Sequence, residues 1–592
     1  MARLGKRPAR RSNWMALGTR ELEAGRLLRA RQFFEKAHRT EPRNAAPLVK
    51  LARTQERIGE IDAAIANLTR AVKLKPDDDT ATRSLSRIVR IFGLDEYSDL
   101  DPAGLKAALA APNVDRQRLS EVAIAYLRDA RGLVAQTDPS ALVVKRTADV
   151  LAEPLLHRAL ASGVNKSIDV EWLLTGLRRA LLLDVPAERF TDRDLFAFAV
   201  ALAQQCQLND HVFRTTPEED EQLASLEIDW PAVKDGDADA GRLLLLHLLY
   251  APVREVAAPH LSPADCQKMR PKALGEMLKP LLEAETQRAQ IAEKIPMLGA
   301  IDDPVSKKVA AQYQTSPYPR WTSLHMPARG RARRTLSRFF PDARLGFLDE
   351  PFEALIAGAG TGQQAIASAT SYGPAARVTA IDLSRPSLAY GQWMAQRLGV
   401  DNVTFAQADI LSLPADSGPY HIIEAVGVLH HMADPFAGWR ALLDRLAPGG
   451  LMLVGLYSKV SRANLGPVRE HPAYPGPGCT DAEARAFRAA LIEDRTDETL
   501  FDSQDFYTLN EFRDLVLHPQ EVSFSLDEIA SFLDEQKLQF AGFALPGLVV
   551  RTFLQTFPDS PWPGRLEDWA AFERENPRTF DGMYTFWCAP AD

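Results

Sequence analysis

The sequence predicts an α/β domain with a mostly parallel sheet over residues 351–592, preceded by an all-helical region over residues 14–298. After Pro351, short apolar runs alternate with helical stretches, as in a sheet whose strands are joined by crossover helices. In the preceding region, apolar residues recur at helical spacing and strand-like alternation is scarce. Since one hydrophobic core stops growing at about 250–300 residues, a chain of 592 residues is expected to form several domains.

The composition narrows the class of protein. The net charge is −8, from 78 acidic and 70 basic side chains, which is the wrong sign for a nucleic-acid partner. The four cysteines are too widely spaced for a Cys-x-x-Cys metal clip and too few to staple a chain of this size, which favours a cytoplasmic location and no metal site. The longest apolar stretch, residues 243–253, is far shorter than the roughly 20 residues that cross a bilayer, so no membrane partner is expected. Residues 1–13 are predicted to form a disordered basic tail.

A repeat of 34 residues opens the helical region. Eight positions agree in phase, with small residues where two helices must approach closely and large residues between neighbouring helix pairs. The matched positions are Trp14 and Leu48, Leu17 and Leu51, Gly18 and Ala52, Gly25 and Gly59, Ala30 and Ala64, Phe34 and Leu68, Ala37 and Ala71, and Pro42 and Pro76. The pattern resembles the tetratricopeptide repeat, and this resemblance implies that residues 14–100 bind a protein or peptide partner.

Two further segments separate the repeats from the α/β domain. Residues 101–298 are predicted to form a helical middle domain, because their apolar residues fall on helical faces, and no site is assigned to it. Residues 299–350 are predicted to be a linker that carries a lid. Prolines stiffen the segment around Tyr318 and Trp321, which suits a loop that holds these two rings over a ligand. The alternative is a linker whose aromatic residues pack on the domain surface.

A glycine-rich turn follows the first apolar run of the α/β domain. Residues 354–357 pass directly into a segment that contains Gly358, Gly360, Thr361 and Gly362, after which a helix is predicted. Such a strand-to-helix turn lets the backbone approach a ligand and directs helix N-terminal N–H groups at its negative end. The turn predicts a ligand site, but alone it does not identify the ligand.

Acidic residues end the next two apolar runs. Asp382 lies 20 residues beyond Gly362, at the place where a carboxylate can accept hydrogen bonds from both ribose hydroxyls of a nucleoside. Asp409 ends the third run, and the fourth run precedes Gly427 and a Val-Leu-His-His-Met segment. The spacing therefore predicts a nucleoside-containing ligand.

Together these features closely resemble the class I S-adenosylmethionine-dependent methyltransferases. The resemblance implies S-adenosyl-L-methionine as cofactor and a Rossmann-like sheet of seven strands, the last of them antiparallel, with residues 538–545 and 583–588 as strands six and seven. The sequence departs from the common pattern at Ile356, where many relatives have an acid two residues before the first glycine. The residues that the resemblance places at the cofactor are Gly358, Gly360, Thr361, Gly362, Asp382, Leu383, Asp409, Ile410 and Gly427.

A nicotinamide dinucleotide site is the alternative for this loop, because Rossmann dehydrogenases also pair a glycine turn with an acid about 20 residues further on. The Asp409 loop and the His430–His431 segment lie where a methyltransferase sheet places adenine and substrate. The last apparent strand also follows the sixth as an antiparallel hairpin partner. These features favour the methyltransferase.

Methyl transfer depends mainly on in-line positioning of a nucleophile, so a general base is optional. His430 stands at the carboxyl end of the fourth strand, where it could take a proton near neutral pH; the alternative is that the two neighbouring histidines cap the turn and contact the cofactor. Residues 458–525 form an insertion of the kind that selects a substrate. The predicted catalytic residues are His430, His518 and Tyr318, which are expected to converge with Arg513 around the transferred methyl group.

The methyl acceptor is predicted to be an O or N nucleophile on a protein that the repeats recruit. A small molecule is the alternative substrate, and a catalytically silent S-adenosylmethionine-binding scaffold is the alternative function. The fourth strand ends in Glu424-Ala-Val-Gly427 instead of the Asn-Pro-Pro-Tyr type that grips a nucleobase amino group, which disfavours adenine N6 methylation. No cysteine lies in this part of the sequence, which disfavours covalent cytosine C5 chemistry.

Overall fold

The structure is a computed structural model that describes residues 13–92, 96–111, 114–134, 149–315, 317–319, 321–324 and 326–591. The chain divides into two compact units. The first comprises the described residues of 1–252, 267–277 and 322–325, and the second those of 253–266, 278–321 and 326–592. Of the predicted basic tail, residues 1–12 lie outside the described residues.

The secondary structure is mainly helical before residue 297. In chain order the α-helices are α1 Trp14–Glu23, α2 Leu27–Thr40, α3 Ala46–Ile58, α4 Ile61–Leu74, α5 Asp79–Ile91, α6 Pro102–Ala110, α7 Arg116–Arg131, α8 Pro154–Leu160, α9 Ile168–Leu183, α10 Arg193–Leu208, α11 Pro217–Ser225, α12 Trp230–Asp235, α13 Ala238–Leu248, α14 Val253–Val256, α15 Lys272–Lys294, α16 Pro304–Thr315, α17 Ala332–Leu336, α18 Gln363–Tyr372, α19 Arg385–Leu398, α20 Pro435–Leu443, α21 Lys459–Arg462, α22 Leu465–Arg469, α23 Asp481–Asp494, α24 Leu509–Val516, α25 Leu526–Glu535, α26 Gly547–Thr556 and α27 Leu566–Glu575. The strands are β1 Met297–Leu298, β2 Phe352–Ala357, β3 Ala376–Asp382, β4 Val403–Ala408, β5 Tyr420–Val426, β6 Leu446–Tyr457, β7 Leu538–Phe543 and β8 Met583–Pro590. Among the helices of the described residues, none combines the length and the apolar character that a membrane span needs.

Helices α1 to α4 of the first unit pack in sequence order, each against the next. The close approach of α1 and α2 depends on Gly18, because a Cβ atom there would lie 2.6 Å from a ring carbon of the fully buried Phe34. In the same way, a Cβ on Gly104 of α6 would lie 1.9 Å from the carbonyl oxygen of Thr69 in α4. Small residues thus stand where these helices meet, and Gly18 is one of the positions at which the repeat predicts one.

Eight strands form one sheet in the second unit, in the order β1-β4-β3-β2-β5-β6-β8-β7. Strand β8 runs antiparallel to both of its neighbours, and the other pairs are parallel. The predicted Rossmann-like fold with an antiparallel last strand is confirmed, but the prediction of seven strands is one too few. The extra strand, β1, has only two residues, which pair with Gln407 and Ala408 of β4. Two residues are too short to show alternation, so the sequence placed this strand in the helical middle domain.

The predicted insertion after β6 begins and ends at the same place in the second unit. Ser458 forms an isolated parallel bridge with Phe524. The N–H of Lys459 donates to the carbonyl oxygen of Phe524 at 2.8 Å, and the N–H of Phe524 donates to that of Tyr457 at 2.8 Å. Helices α21 to α24 lie between these two ends. The insertion is therefore a helical segment whose two ends are hydrogen-bonded to each other at the carboxyl end of β6. In parallel sheets, ligands bind at the carboxyl ends of the strands.

Candidate active site

The glycine turn after β2 has a backbone that requires glycine. Gly358, Gly360 and Gly362 have φ values of 71°, 50° and 81°, in the left-handed region that side chains disfavour. A Cβ atom on Gly358 would lie 2.3 Å from Cβ of Val428, and one on Gly360 would lie 2.5 Å from the carbonyl oxygen of Tyr318. The turn is thus closely covered by the loop after β5 and by the segment predicted as a lid.

Asp382, the last residue of β3, holds this turn. One carboxylate oxygen accepts a hydrogen bond of 2.8 Å from the N–H of Gly360, and the other accepts one of 2.9 Å from the N–H of Ser384. Burial raises the pKa of this carboxyl group, while the N–H donors of Ser384, Gly360 and Leu383 oppose the rise. A carboxylate oxygen can accept more than one hydrogen bond, so this group can also accept from the hydroxyls of a ribose.

The loops after β2, β3, β4 and β5 surround one pocket of about 260 Å³. Asp409 lies at its β4 side and is buried; its Oδ1 accepts from the N–H of Leu411 at 3.0 Å, whereas its Oδ2 has no hydrogen-bond partner among the described residues. A buried acceptor without a partner is costly, so Asp409 is a candidate acceptor for a donor group of a ligand in this pocket. Seven of the nine predicted cofactor residues line this pocket: Gly358, Gly360, Asp382, Leu383, Asp409, Ile410 and Gly427.

The other two predicted cofactor residues, Thr361 and Gly362, do not line the pocket. Gly362 begins helix α18. Thr361 instead connects the predicted lid to the glycine turn. Its hydroxyl accepts a hydrogen bond of 3.0 Å from the indole N–H of Trp321 and donates one of 2.5 Å to the carbonyl oxygen of Pro319. Its backbone N–H donates to the carbonyl oxygen of Tyr318 at 3.0 Å. Tyr318 and Pro319 line the pocket. Arg320 of the same segment lies outside the described residues.

Helix α16 forms another wall that the sequence did not predict. Ser306, Val309 and Tyr313 line the pocket, at a spacing of three and four residues that places them on one helical face. The carbonyl oxygen of Tyr313 accepts from the hydroxyl of Ser384 at 2.8 Å, which fixes the helix to the end of β3. The sequence treated this helix as part of a linker, because its short apolar pattern gives no amphipathic signal of its own.

Three buried side chains and the half-buried Tyr313 meet beside the pocket, and we call Tyr313, His431, Asp514 and His518 the Tyr–His–Asp cluster. The hydroxyl of Tyr313 donates to Asp514 at 2.5 Å and lies 3.3 Å from Nε2 of His518. The rings of His431 and His518 have centroids 3.8 Å apart, and the ring of Tyr318 lies 6.4 Å from that of Tyr313. Tyr313, Tyr318 and His431 also line the pocket, so the cluster borders the cofactor site.

The hydrogen bonds of the two histidines assign their tautomers. Nδ1 of His431 lies 3.0 Å from the carbonyl oxygen of Gln520, so it carries the proton and leaves the lone pair on Nε2. Nδ1 of His518 accepts from the N–H of Gln520 at 3.1 Å, so its proton is on Nε2, facing Tyr313. Side-chain atoms of His431, Asp514 and His518 that could bind a metal ion lie within 4.8 Å of one another. The His518 ring carries its proton on Nε2, however, so this nitrogen donates a hydrogen bond and does not offer a lone pair to a cation. The arrangement is therefore that of a hydrogen-bond relay.

Burial sets the protonation states of this cluster. It lowers the pKa of His431 to about 4 and, together with the neighbouring His431, that of His518 to about 3. It raises the pKa of Asp514 and holds that of Tyr313 well above its ordinary value. Both histidines are therefore neutral at physiological pH, and each has a ring nitrogen that can act as a hydrogen-bond acceptor.

These lowered pKa values predict a loss of stability in acid. Below about pH 6.5 the unfolded chain binds protons at both histidines that the folded chain does not bind. The free energy of unfolding therefore decreases as the pH is lowered, by on the order of 3 kcal/mol per histidine at pH 3. His518→Asn keeps an acceptor for the N–H of Gln520 but removes the titrating ring. Urea unfolding at about pH 7 and about pH 4.5 should show a smaller acid loss in this variant than in the wild type. The exposed His260→Asn is the control, and an equal loss in wild type and His518→Asn would contradict the prediction.

The four residues that were expected to converge differ in whether they reach the pocket. Tyr318 lines the pocket and His518 belongs to the Tyr–His–Asp cluster. His430 does not line the pocket: it is fully buried against the ring of Tyr457, at 3.6 Å between centroids, and neither ring nitrogen has a hydrogen-bond partner among the described residues. Arg513 donates to Asp481 and to the carbonyl oxygen of Cys479, both in the insertion, and it is absent from the pocket lining.

Two known families match parts of the chain. A methyltransferase domain matches residues 354–450, and a tetratricopeptide repeat matches residues 21–88. The first match decides against the dehydrogenase alternative. The methyltransferase domain implies S-adenosylmethionine as cofactor, and the carboxylates of Asp382 and Asp409 beside the glycine turn fit that molecule.

Individual proteins are similar over parts of the chain. An uncharacterized protein from Synechococcus sp. is 28% identical over 280 residues, which cover 42% of this chain and 63% of that protein. The chain therefore spans less than two thirds of this relative. The solved structure of PKMT2 from Rickettsia typhi in complex with AdoHcy is 16% identical with a TM-score of 0.34, covering 46% of this chain and 55% of the other. A SAM-dependent methyltransferase from Geobacter sulfurreducens with S-adenosyl-L-homocysteine is 18% identical with a TM-score of 0.24, covering 49% and 100%. The chain carries a tetratricopeptide-repeat region followed by a methyltransferase domain.

Proposed function

We propose that this protein is an S-adenosylmethionine-dependent methyltransferase that methylates an O or N nucleophile. One observation carries the proposal: the pocket that Asp382, Asp409 and the glycine turn surround is also lined by Tyr313 and His431 of the Tyr–His–Asp cluster. A nucleoside site alone would serve many proteins. A nucleoside site that opens onto a buried polar cluster at the carboxyl edge of the sheet offers places for both a methyl donor and an acceptor.

Specific residues have roles in holding the cofactor. Asp382 would accept the ribose hydroxyls, Asp409 would accept the adenine amine, and the glycine turn would let the methionine part approach the backbone. The cofactor supplies a methyl group on a sulfonium, whose leaving group needs no protonation. The remaining task of the chain is to orient the nucleophile and to exclude water.

The Tyr–His–Asp cluster is proposed to orient the acceptor. The Nε2 proton of His518 is directed at the Tyr313 hydroxyl, which donates to Asp514, so this chain of bonds fixes the Tyr313 ring at the pocket wall. His431 is neutral and keeps a lone pair on Nε2, so it can accept a hydrogen bond from an O–H or N–H nucleophile. Since a pKa of about 4 makes it a weak base, its main contribution is to orient that nucleophile. We assign this role to His431 and not to His430, because His431 lines the pocket.

The acceptor is proposed to be a protein. The tetratricopeptide-repeat region supports this assignment, because stacked helix pairs build extended surfaces that suit peptides. A small molecule, which would not need the repeats, is the second candidate acceptor. The size of the labelled product distinguishes it from a protein.

Labelling of a cell lysate tests the proposal. The full-length chain is incubated with methyl-labelled S-adenosylmethionine and a lysate, and the products are separated by size. We expect label in a band of protein size, absent when Asp382→Ala replaces the wild type. Label in small molecules would support the methyltransferase and reject the protein acceptor, whereas cofactor binding without any transferred label would favour a silent scaffold.

A further inference from the structure

A buried carboxylate on β5 faces the helix that follows the glycine turn. Glu424 is 2% exposed, and it accepts hydrogen bonds from Nε2 of Gln364, from Oγ of Ser368 at 3.0 Å and from the hydroxyl of Tyr372. The three donors lie four residues apart on α18, so they share one helical face. Burial raises the pKa of Glu424, and the three donors oppose the rise.

Glu424 lies on β5 directly beside Ile356 of the neighbouring strand β2, with which it pairs in register. Ile356 is the position, two residues before Gly358, where the resemblance leads one to expect an acid that this chain lacks. A carboxylate is therefore present at the same level of the sheet, one strand away.

Gln364 connects this carboxylate to the pocket. It lines the pocket, while its Nε2 donates to Glu424. An ionised carboxylate can only accept hydrogen bonds, so it fixes the orientation of the amide and leaves Oε1 as the atom that Gln364 can offer to a ligand. An amide oxygen backed by a carboxylate is a good acceptor for a cation.

The sheet order shows which end of the pocket this is. Strands run β4-β3-β2-β5, with Asp409 after β4 and Asp382 at the end of β3. Gln364 and Glu424 lie beyond the glycine turn, on the β2–β5 side. In a ligand laid across these strands from adenine to ribose, the part that reaches this side is the amino-acid end.

We propose that Gln364 binds the ammonium group of the methionine part of the cofactor through Oε1, and that Glu424 is the positioning residue that replaces the acid missing at position 356. This proposal rests on the proposed function, because it assumes S-adenosylmethionine in the pocket. Gln364 makes the contact, and Glu424 acts through it.

Two ligands that differ in the amino-acid part test the proposal. S-adenosylhomocysteine carries the ammonium group, whereas 5′-methylthioadenosine has the same nucleoside without it. Calorimetry on the full-length chain should show that Gln364→Leu lowers the affinity for S-adenosylhomocysteine about tenfold and leaves that for methylthioadenosine unchanged. Glu424→Gln should lower the affinity for S-adenosylhomocysteine about threefold and leave that for methylthioadenosine unchanged. The reason is that an amide at position 424 can also donate a hydrogen bond, which allows the Gln364 amide to rotate so that its Oε1 faces residue 424.

A swap and a control make the result specific. The double variant Glu424→Gln with Gln364→Glu returns one carboxylate and one amide to the pair and should recover affinity for S-adenosylhomocysteine. Ser371→Ala, on the same helix, should change neither affinity. Equal losses for both ligands in Gln364→Leu, or no loss, would overturn the proposal while leaving the proposed function intact. Failure of the wild type to bind S-adenosylhomocysteine would instead overturn the proposed function, and this proposal with it.

Discussion

Asp382→Ala is expected to lower the affinity for S-adenosylmethionine by about a hundredfold or more. The carboxylate offers acceptors for two ribose hydroxyls, and hydrogen bonds to a charged group contribute about 1.5–3 kcal/mol each, where 1.4 kcal/mol is tenfold in affinity. The substitution also removes the acceptors for the N–H groups of Gly360 and Ser384, so the glycine turn loses its anchor. Calorimetric titration of the full-length chain measures the effect.

Two further variants distinguish loss of the ribose contact from a general loss of structure. Asp382→Asn keeps one acceptor oxygen and should give an intermediate loss. Asp401→Ala removes an exposed carboxylate that precedes β4, at the opposite edge of the sheet, and should leave the affinity unchanged. An unchanged affinity in Asp382→Ala would mean that the ribose lies elsewhere, and the cofactor assignment would then fail.

The cofactor half of the site could be predicted because its signals are local. The glycine turn directly follows a strand, and the end of the next parallel strand must lie beside it, so the 20 residues between Gly362 and Asp382 fix their proximity. Asp409 follows by the same logic, one strand further along. No long-range contact has to be known to place these residues around one pocket.

The acceptor half could not be predicted in the same way, because it depends on which of two adjacent side chains faces the pocket. His430 and His431 share one 3-10 turn, yet only His431 lines the pocket. On α24, Arg513 and Asp514 are consecutive and so point about 100° apart, which sends Asp514 to Tyr313 and Arg513 to Asp481. Sequence spacing gives the segment but not the direction of the side chain.

The extra strand and helix α16 were missed for a different reason. Strand β1 has two residues, which is too few for a period to appear, and α16 lies among prolines and aromatic residues that indicate a loop. Both are determined by packing on the sheet, through pairing with β4 and through the bond from Ser384 to Tyr313. Their contribution to the pocket became visible only with the tertiary structure.

The sharpest test of the acceptor site compares the two neighbouring histidines. His431→Asn keeps a side-chain N–H for the carbonyl oxygen of Gln520 but removes the Nε2 lone pair, so we expect turnover to fall about a hundredfold. The affinity for S-adenosylmethionine should change little, because Asp382 and Asp409 are untouched. Single-turnover assays with labelled cofactor, on whichever acceptor the lysate identifies, measure the first effect, and calorimetry measures the second.

His430→Phe should behave in the opposite way. The wild-type ring is fully buried and stacks on Tyr457, and its two nitrogens have no hydrogen-bond partner in the described part of the chain. Replacing a buried unsatisfied polar ring by an apolar ring of similar shape removes a desolvation cost, so the free energy of unfolding should rise by about 1 kcal/mol while turnover is retained. If instead His430→Phe abolished turnover and His431→Asn preserved it, the base would be His430, and the pocket would have to open toward Tyr457 before it could receive the acceptor.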